Sequence, residues 1–411
     1  MEKILLQNIG QLATFKGNHA HHGKEMQQVY LLNNCSILIE DGKIAKIFDK
    51  PNLDCTCEGV RKIDCQGKLV TAGFVDCHTH LVFAGNRSKE FEMRLAGKSY
   101  MEIMLAGGGI VNTVGATRNA SLQELLQLAK ERVDVALNYG VTTVEAKSGY
   151  GLDKETELKQ LQVLSDLAQM TPVTVVPTFM GAHATPKGQN VDEYVDFVAN
   201  EVLPLVAQQG VAKYCDCFCE KNVFDAKQTE KILTSARRYG MQLKIHADEI
   251  ESIGGVTLGC EIGATSVDHL LKISDEDIAR LAKSNTVGVI LPATAFSLKE
   301  HFAPARKMID AGCAVAIATD FNPGSCNTQS IPLIIALANI YCNMSMAETL
   351  CALTINGASA VGMADSVGTV EEGKQADLLI HAVDDLSGLC YHFCKDTVRT
   401  VIKAGKVVLQ K

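Results

Sequence analysis

The residues Asp76-Cys-His-Thr-His80 follow directly on the apolar run Leu69–Val75. Alternate residues of a strand point to the same side. His78 and His80 can therefore aim two imidazoles at one point, which is how many metal sites begin. Alone, such a pair reads more readily as two surface histidines at a strand end. Three further segments, His246-Ala-Asp-Glu249, Asp268-His269 and Thr319-Asp320, each close another apolar run, and so does Met180-Gly-Ala-His183. Five of the 11 histidines stand at such ends, which chance does not readily produce. Together they predict a metal centre with imidazoles from His78, His80 and His246 and a carboxylate from Asp320. Three nitrogens and one oxygen leave a position for water, the build of a catalytic rather than a structural site.

A divalent metal lowers the pKa of bound water to about 7 and polarises a carbonyl. Asp320 could both ligate and take a proton from that water. Glu249 closely follows His246; it is either the proton carrier to a leaving nitrogen or an exposed acid at a helix start. His269 faces the same mouth as a further base or carbonyl polariser. Arg87 suits a substrate carboxylate, which it can hold bidentately, or else a surface ion pair. Tyr150 and His183 follow the second and third apolar runs. Asn322, Gly324 and Ser325 offer an amide, a close backbone approach and a hydroxyl to a small polar ligand. By contrast, His19, His21 and His22 lie in a Gly-flanked polar loop and are expected to be solvated, with no rigid scaffold to make them a site.

These residues need elements that bring them together. Candidate strands run over Ala72–Cys77, Val141–Ala146, Val173–Phe179, Ala212–Phe218, Gln242–His246, Ala264–His269, Thr286–Leu291 and Ala314–Thr319. Between most of them lie helical patterns: Leu122–Tyr139, Lys154–Gln169, Asp192–Gln208, Ala226–Tyr239 and Ser274–Lys283. Alternating strand and helix implies a parallel sheet, and eight such units fit an α/β protein with a (β/α)8 TIM-type barrel. In that fold, reactive side chains sit at the C-terminal ends of strands, where the polar residues above fall. A doubly wound open sheet is disfavoured, because no Gly-x-Gly-x-x-Gly follows the first strand; Gly107-Gly108-Gly109 lies far from it. Both ends of the chain read as short strands with tight turns, as at Asp41-Gly42. We expect them to join as one small β-sandwich domain, residues 1–69 with 366–411, beside a barrel of residues 70–365.

Bulk properties narrow the function. The chain has 411 residues, 47% of them hydrophobic, and a net charge of −8 without blocks of like charge. That argues against nucleic acid or an anionic membrane as partner. The N-terminus lacks the apolar core of a signal peptide, and no stretch approaches the ~20 apolar residues of a membrane helix. The 15 cysteines include no Cys-x-x-Cys pair. They read as reduced thiols of a cytoplasmic protein. Cys55/Cys57 and Cys215/Cys217/Cys219 are spaced two apart, and the latter three are expected to be buried on a strand.

The set His78-Thr-His80, His246 and Asp320 resembles the amidohydrolase superfamily, and Asp41-Gly-Lys-Ile44 and Gly373-Lys-Gln-Ala-Asp377 look like its small β-domain. Within it, HTHLVFAGNR, EFEMRLAGKSY, GGGIVNTV, VEAKSGYGL, HADE, DHLL and ATDFNPGS are closely similar to the imidazolonepropionase family. The resemblance implies metal ligands at His78, His80, His246 and Asp320. It implies substrate contacts at Arg87, Tyr150, His183, Glu249, Asn322, Gly324 and Ser325, with proton transfer shared among Asp320, His269 and Glu249. The implied reaction is hydrolysis of 4-imidazolone-5-propanoate to N-formimidoyl-L-glutamate in histidine degradation. The implied cofactor is one metal ion, zinc or iron, since the fourth strand offers no Lys to bridge two. A homodimer is the expected assembly. The rival readings are a mononuclear cytosine- or guanine-type aminohydrolase and a non-catalytic barrel serving as a scaffold.

Overall fold

The structure, a computed structural model, describes residues 3–53, 59–98, 102 and 108–411. Cys55, Cys57, Gly107 and the Ser99-Tyr100 end of one motif lie outside the described residues. The first five strands are β1 (Lys3–Thr14), β2 (Tyr30–Glu40), β3 (Lys43–Phe48), β4 (Val60–Asp64) and β5 (Leu69–Ala72). Then follow β6 (Phe74–Asp76), β7 (Val141–Lys147), β8 (Thr174–Ala182), β9 (Tyr214–Cys219), β10 (Gln242–Ala247), β11 (Ser266–His269), β12 (Val287–Ile290) and β13 (Val315–Ile317). The last are β14 (Leu378–His381), β15 (Val398–Lys403) and β16 (Lys406–Gln410).

Strands β6 to β13 form one parallel sheet in chain order, the eight-stranded barrel that the alternation of strand and helix predicts. Such strands are covered on both faces. Every residue of β7 is buried, Glu145 and Lys147 among them. The expected helices recur almost to the residue, opened by side-chain caps from Ser121, Asp153, Asp225 and Ser274. Each cap satisfies an N–H left free in the first turn. One helix differs: the run expected over Asp192–Gln208 has a wide π turn at Val198–Val202. Pro204 has no N–H to return to residue 200, so the ladder shifts there. A helix at Ile110–Asn119, entered through Gly109, has no counterpart in the sequence reading.

The remaining strands make a second, mixed sheet from both ends of the chain, in the order β16-β15-β14-β5-β1-β2-β3, with β4 also on β1. It has its own apolar cluster, including Ile4, Leu6, Ile37, Ile39, Leu378 and Ile402. Asp41 and Gly42 both have positive φ, as the two-residue hairpin requires. The apolar run Leu69–Val75 is split between the sheets at Gly73. A Cβ on Gly73 would stand 2.2 Å from Thr142 Oγ1, so the crossing strands admit only glycine there.

In the His19–His22 loop, His19 is exposed as expected, but His21 is not. His21 is buried, with Nε2 2.9 Å from the Lys16 carbonyl, and its backbone N–H donates to Asn356 Oδ1 at 2.7 Å. Asn356 Nδ2 donates both to the His21 carbonyl and to that of Val315 in β13. The loop is thus pinned to the barrel through its backbone, a contact that its polar composition conceals. Cys215, Cys217 and Cys219 are buried free thiols. No helix among the described residues is long and apolar enough to cross a membrane.

Candidate metal centre and substrate cavity

The barrel closes where the histidines sit. β6 and β13 are joined just beyond their ends: Asp320 N–H donates to the His78 carbonyl at 3.0 Å, and His80 N–H to the Phe321 carbonyl at 2.9 Å. One turn below, Asp76 accepts from the Thr319 N–H at 3.0 Å and its hydroxyl at 2.6 Å. These bonds set His78 and His80 against Asp320. Asp320 has a φ of 51° and His269 one of 86°. Left-handed backbone at non-glycine residues is strained, and it gathers at functional sites.

Three imidazoles, of His78, His80 and His246, offer nitrogens within 4.8 Å of one another, and Asp320 stands beside the first two. His78 Nε2 lies 3.5 Å and His80 Nε2 3.7 Å from Asp320 Oδ1, and His246 Nε2 lies 3.4 Å from His80 Nε2. Two atoms bound tetrahedrally to one ion at its usual bond lengths stand roughly 3.3–3.6 Å apart. His78 Nε2 and Asp320 Oδ1 are buried without a hydrogen-bond partner. Lone pairs turned on one another in a buried space repel unless a cation lies between them, so the donor set fits a metal ion. Burial first, then Lys147, holds the His78 imidazole well below its ordinary pKa. It therefore stays neutral and able to ligate.

Behind these atoms lies a layer of paired charges. His78 Nδ1 donates to Asp268 Oδ2 at 2.6 Å, which leaves Nε2 free as a donor of electrons. His246 Nδ1 lies 3.1 Å from Asp216 Oδ2. Lys147 Nζ lies 2.8 Å from both Asp216 Oδ2 and Glu145 Oε1. Carboxylates on the far nitrogens fix the tautomer and aim of ligating imidazoles.

In front lies a cavity of ≈ 580 Å³, lined by His80, His246 and Asp320 and by Glu249, His269 and Arg87. Tyr150, His183, Asn322, Gly324 and Ser325 complete the set of residues expected from the sequence; His78 lies behind the wall. His269 Nδ1 is 3.5 Å from Glu249 Oε2. Burial, then Asp320, Glu220 and Glu300, pushes the Glu249 carboxyl up to about 8. Burial likewise raises Asp320 to about 6, against the pull of the Thr294 hydroxyl. His183 falls to about 3 through burial and His246, so it is neutral; its Nδ1 lies 3.0 Å from the Gly149 carbonyl. Asn322 spends its amide inside its own loop, donating to the Asp320 carbonyl and accepting from the N–H groups of Gly324 and Ser325. It shapes that wall as well as lining it.

Three buried carboxylates hold the loops of this mouth. Glu90 accepts from Arg87 Nε at 2.7 Å and from Gly109 N–H at 3.1 Å. Glu157 accepts from the N–H groups of Gly149, Gly151 and Leu152, on both sides of Tyr150. Glu220 accepts from those of Ile250 and Glu251, just after Glu249. Gly324 stands against Arg87: a Cβ there would lie 2.2 Å from Nη1, so the guanidinium rests on bare backbone.

Residues 69–408 match the model of the amidohydrolase family. An imidazolonepropionase of Clostridium tetani is 48% identical over 413 residues, covering 99% of this chain and 98% of the relative. One of Porphyromonas gingivalis is 49% identical over 414 residues, with 98% and 97% covered. The chain belongs to the imidazolonepropionases of the amidohydrolase family. Solved structures share this family member's fold. A triazine hydrolase variant superposes with a TM-score of 0.76 at 19% identity, covering 100% of this chain and 95% of the other. An adenosine deaminase of Xanthomonas campestris with bound zinc gives 0.72 at 18%, covering 99% and 93%.

Sequence reading marked Asp268 at a strand end but gave no role to the rear layer or to the three loop-holding carboxylates of this family member. Lys147 and Asp216 lie inside strands that otherwise read as apolar. A charged residue within a barrel strand is the signal that would have marked them.

Proposed function

We propose that this chain hydrolyses 4-imidazolone-5-propanoate to N-formimidoyl-L-glutamate, with one zinc or iron ion held by His78, His80, His246 and Asp320. The reading is carried by one observation: His80, His246 and Asp320 open into the same cavity as the Arg87 guanidinium. When bound, the metal supplies an acidified water and polarisation of the ring carbonyl.

The chain's own residues do the rest. Arg87, backed by Glu90 and bare Gly324, receives the propanoate carboxylate in the geometry suited to a guanidinium. Tyr150 and neutral His183 flank the ring, with Ser325 beside Arg87. Asp320 is held through Oδ2 by the Thr294 hydroxyl at 2.6 Å, so Oδ1 faces the site; the carboxylate takes a proton from the attacking water. The oxygen of water joins the ring carbonyl carbon, and the ring C–N bond breaks. Glu249, protonated near neutral pH, delivers a proton to the departing nitrogen, with His269 beside it. The new carboxylic acid gives its remaining proton to solvent, and the proton on Asp320 returns to Glu249, so a carboxylate, a formimidoyl N–H and one released proton result.

The metal reading without a guanidinium would suit an aminohydrolase equally; Arg87 on the cavity wall favours the carboxylate-bearing substrate. The test is incubation of folded, metal-loaded protein with 4-imidazolone-5-propanoate. Formation of N-formimidoyl-L-glutamate is expected. Its absence, while cytosine or guanine is deaminated, would overturn the assignment.

A further inference from the structure

Among the described residues, the most deeply buried charges of the barrel are not ligands. Glu145, Lys147 and Asp216 are wholly excluded from solvent, and Lys147 Nζ stands 2.8 Å from each carboxylate. Burying three charges in a barrel wall is costly, and apolar side chains of like volume would usually serve stability as well. Something else must account for their being there.

Their remaining contacts supply it. Glu145 Oε2 accepts from the Thr79 N–H at 3.2 Å, and the Thr79 hydroxyl donates to the Glu145 carbonyl at 2.6 Å. The Lys147 N–H donates to the Thr79 carbonyl at 3.0 Å. Thr79 is the residue between His78 and His80. On the other side, Asp216 Oδ2 lies 3.1 Å from His246 Nδ1. The three charges therefore form a line from the backbone of the first-strand ligands to the ring of the fifth-strand ligand. β6 and β10 are not neighbours in the barrel.

We propose that Glu145, Lys147 and Asp216 act as one positioning unit, which sets the distance between the His78/His80 pair and His246 and so tunes the affinity and geometry of the metal site. The unit lies behind the imidazoles and touches no substrate. Lys147 is the link: its ammonium fixes the Asp216 carboxylate, and through Glu145 it fixes Thr79. Paired on both sides, it is a spacer between carboxylates and not itself a ligand. The inference rests on the metal reading given above.

The test uses cobalt(II) as the probe, bound to metal-depleted full-length protein and followed by its visible spectrum and a competition-derived Kd. The decisive variant is E145Q/K147M. It leaves net charge unchanged and alters no side chain that touches an imidazole. The expected result is a Kd weaker by about 10–100-fold, the usual scale for groups that orient ligands. A shifted cobalt spectrum should accompany it, and the metal-free thermal midpoint should fall, because buried Asp216 loses its ammonium partner. Adding D216N should weaken binding less than it does in the parent, because members of one unit are not additive. A variant that binds cobalt with the parent's Kd and spectrum, or effects that simply add, overturns the unit. If E145Q/K147M does not fold, E145Q alone keeps the Lys147–Asp216 pair. It should show a smaller loss of the same kind, and an unchanged Kd and spectrum there also overturns the proposal. A parent protein that binds no cobalt(II) would instead overturn the metal reading itself, so the two failures are distinguishable.

Discussion

The rear and the mouth of this site use the same side chain in opposite ways. Behind the ligand atoms, Asp268 and Asp216 turn their carboxylates on imidazole nitrogens, and cationic Lys147 and Lys244 stand close by. At the mouth, Glu157 and Glu220 turn theirs on backbone N–H groups, and Glu90 divides itself between a guanidinium and one N–H. The rear holds side chains in orientation. The mouth holds loops in shape. The contrast separates two properties that a single assay of turnover would merge, namely capture of a metal and capture of a substrate.

Substitutions should break the two regions apart. The largest effect is expected where they meet. Asp320 is both a potential ligand and a proton acceptor, so Asp320→Ala should lower kcat/KM by about 10⁴-fold and empty the purified protein of metal; turnover and metal content measured together check this. Asp268→Asn, purely rear, should weaken metal affinity by about 10–100-fold while leaving KM of the reloaded enzyme near the parent value. Arg87→Ala, purely mouth, should do the reverse. Loss of a charged hydrogen-bond partner worth about 1.5–3 kcal/mol raises KM by roughly 10–150-fold with metal content unchanged. Glu157→Gln leaves at least one of three N–H groups short of an acceptor, so it should raise KM by about tenfold through Tyr150 and lower the thermal midpoint. A mouth variant that loses metal would show the contrast to be false.

A further effect is one of pH. The Glu249 carboxyl is pushed up to about 8, by burial first and then by Asp320. It carries its proton below that value and loses it above. A step that needs the acid therefore slows as pH rises through about 8. In Glu249→Gln this alkaline limb should vanish, and the rate on the neutral plateau should fall by about 10²-fold. An unchanged limb in the pH–rate profile would move the proton transfer to His269 and Asp320.

Mouth and rear also differ in how far the sequence reveals them. His78, His80, His246 and Asp320 are legible because a parallel strand must end somewhere, and a polar residue directly after an apolar run marks that end. Arg87, Tyr150 and Ser325 are legible more faintly, as polar residues in the loops beyond. Lys147 and Asp216 are not, since what they do depends on the pairing of β7 with β8 and of β9 with β10, which no local pattern encodes. Glu157 is hidden differently: in the first turn of its helix it reads as an ordinary favourable acid. The pinning of His21 by Asn356 joins residues near opposite ends of the chain, beyond any motif. The turn at Ala404-Gly405 has both φ positive like Asp41-Gly42, yet lacks the Asn or Asp that announces such a hairpin.

The bonds that join His78 and His80 to Asp320 and Phe321 have a consequence for timing. A ribosome releases His78 and His80 early and Asp320 only when the last barrel strand has emerged. Until then the carboxylate corner of the site does not exist, and the first and last strands have no contact to hold them. An ion bound by both the histidines and Asp320 would act as a clasp on a ring just closed. A nascent chain halted before β13 offers the imidazoles without the Asp320 carboxylate.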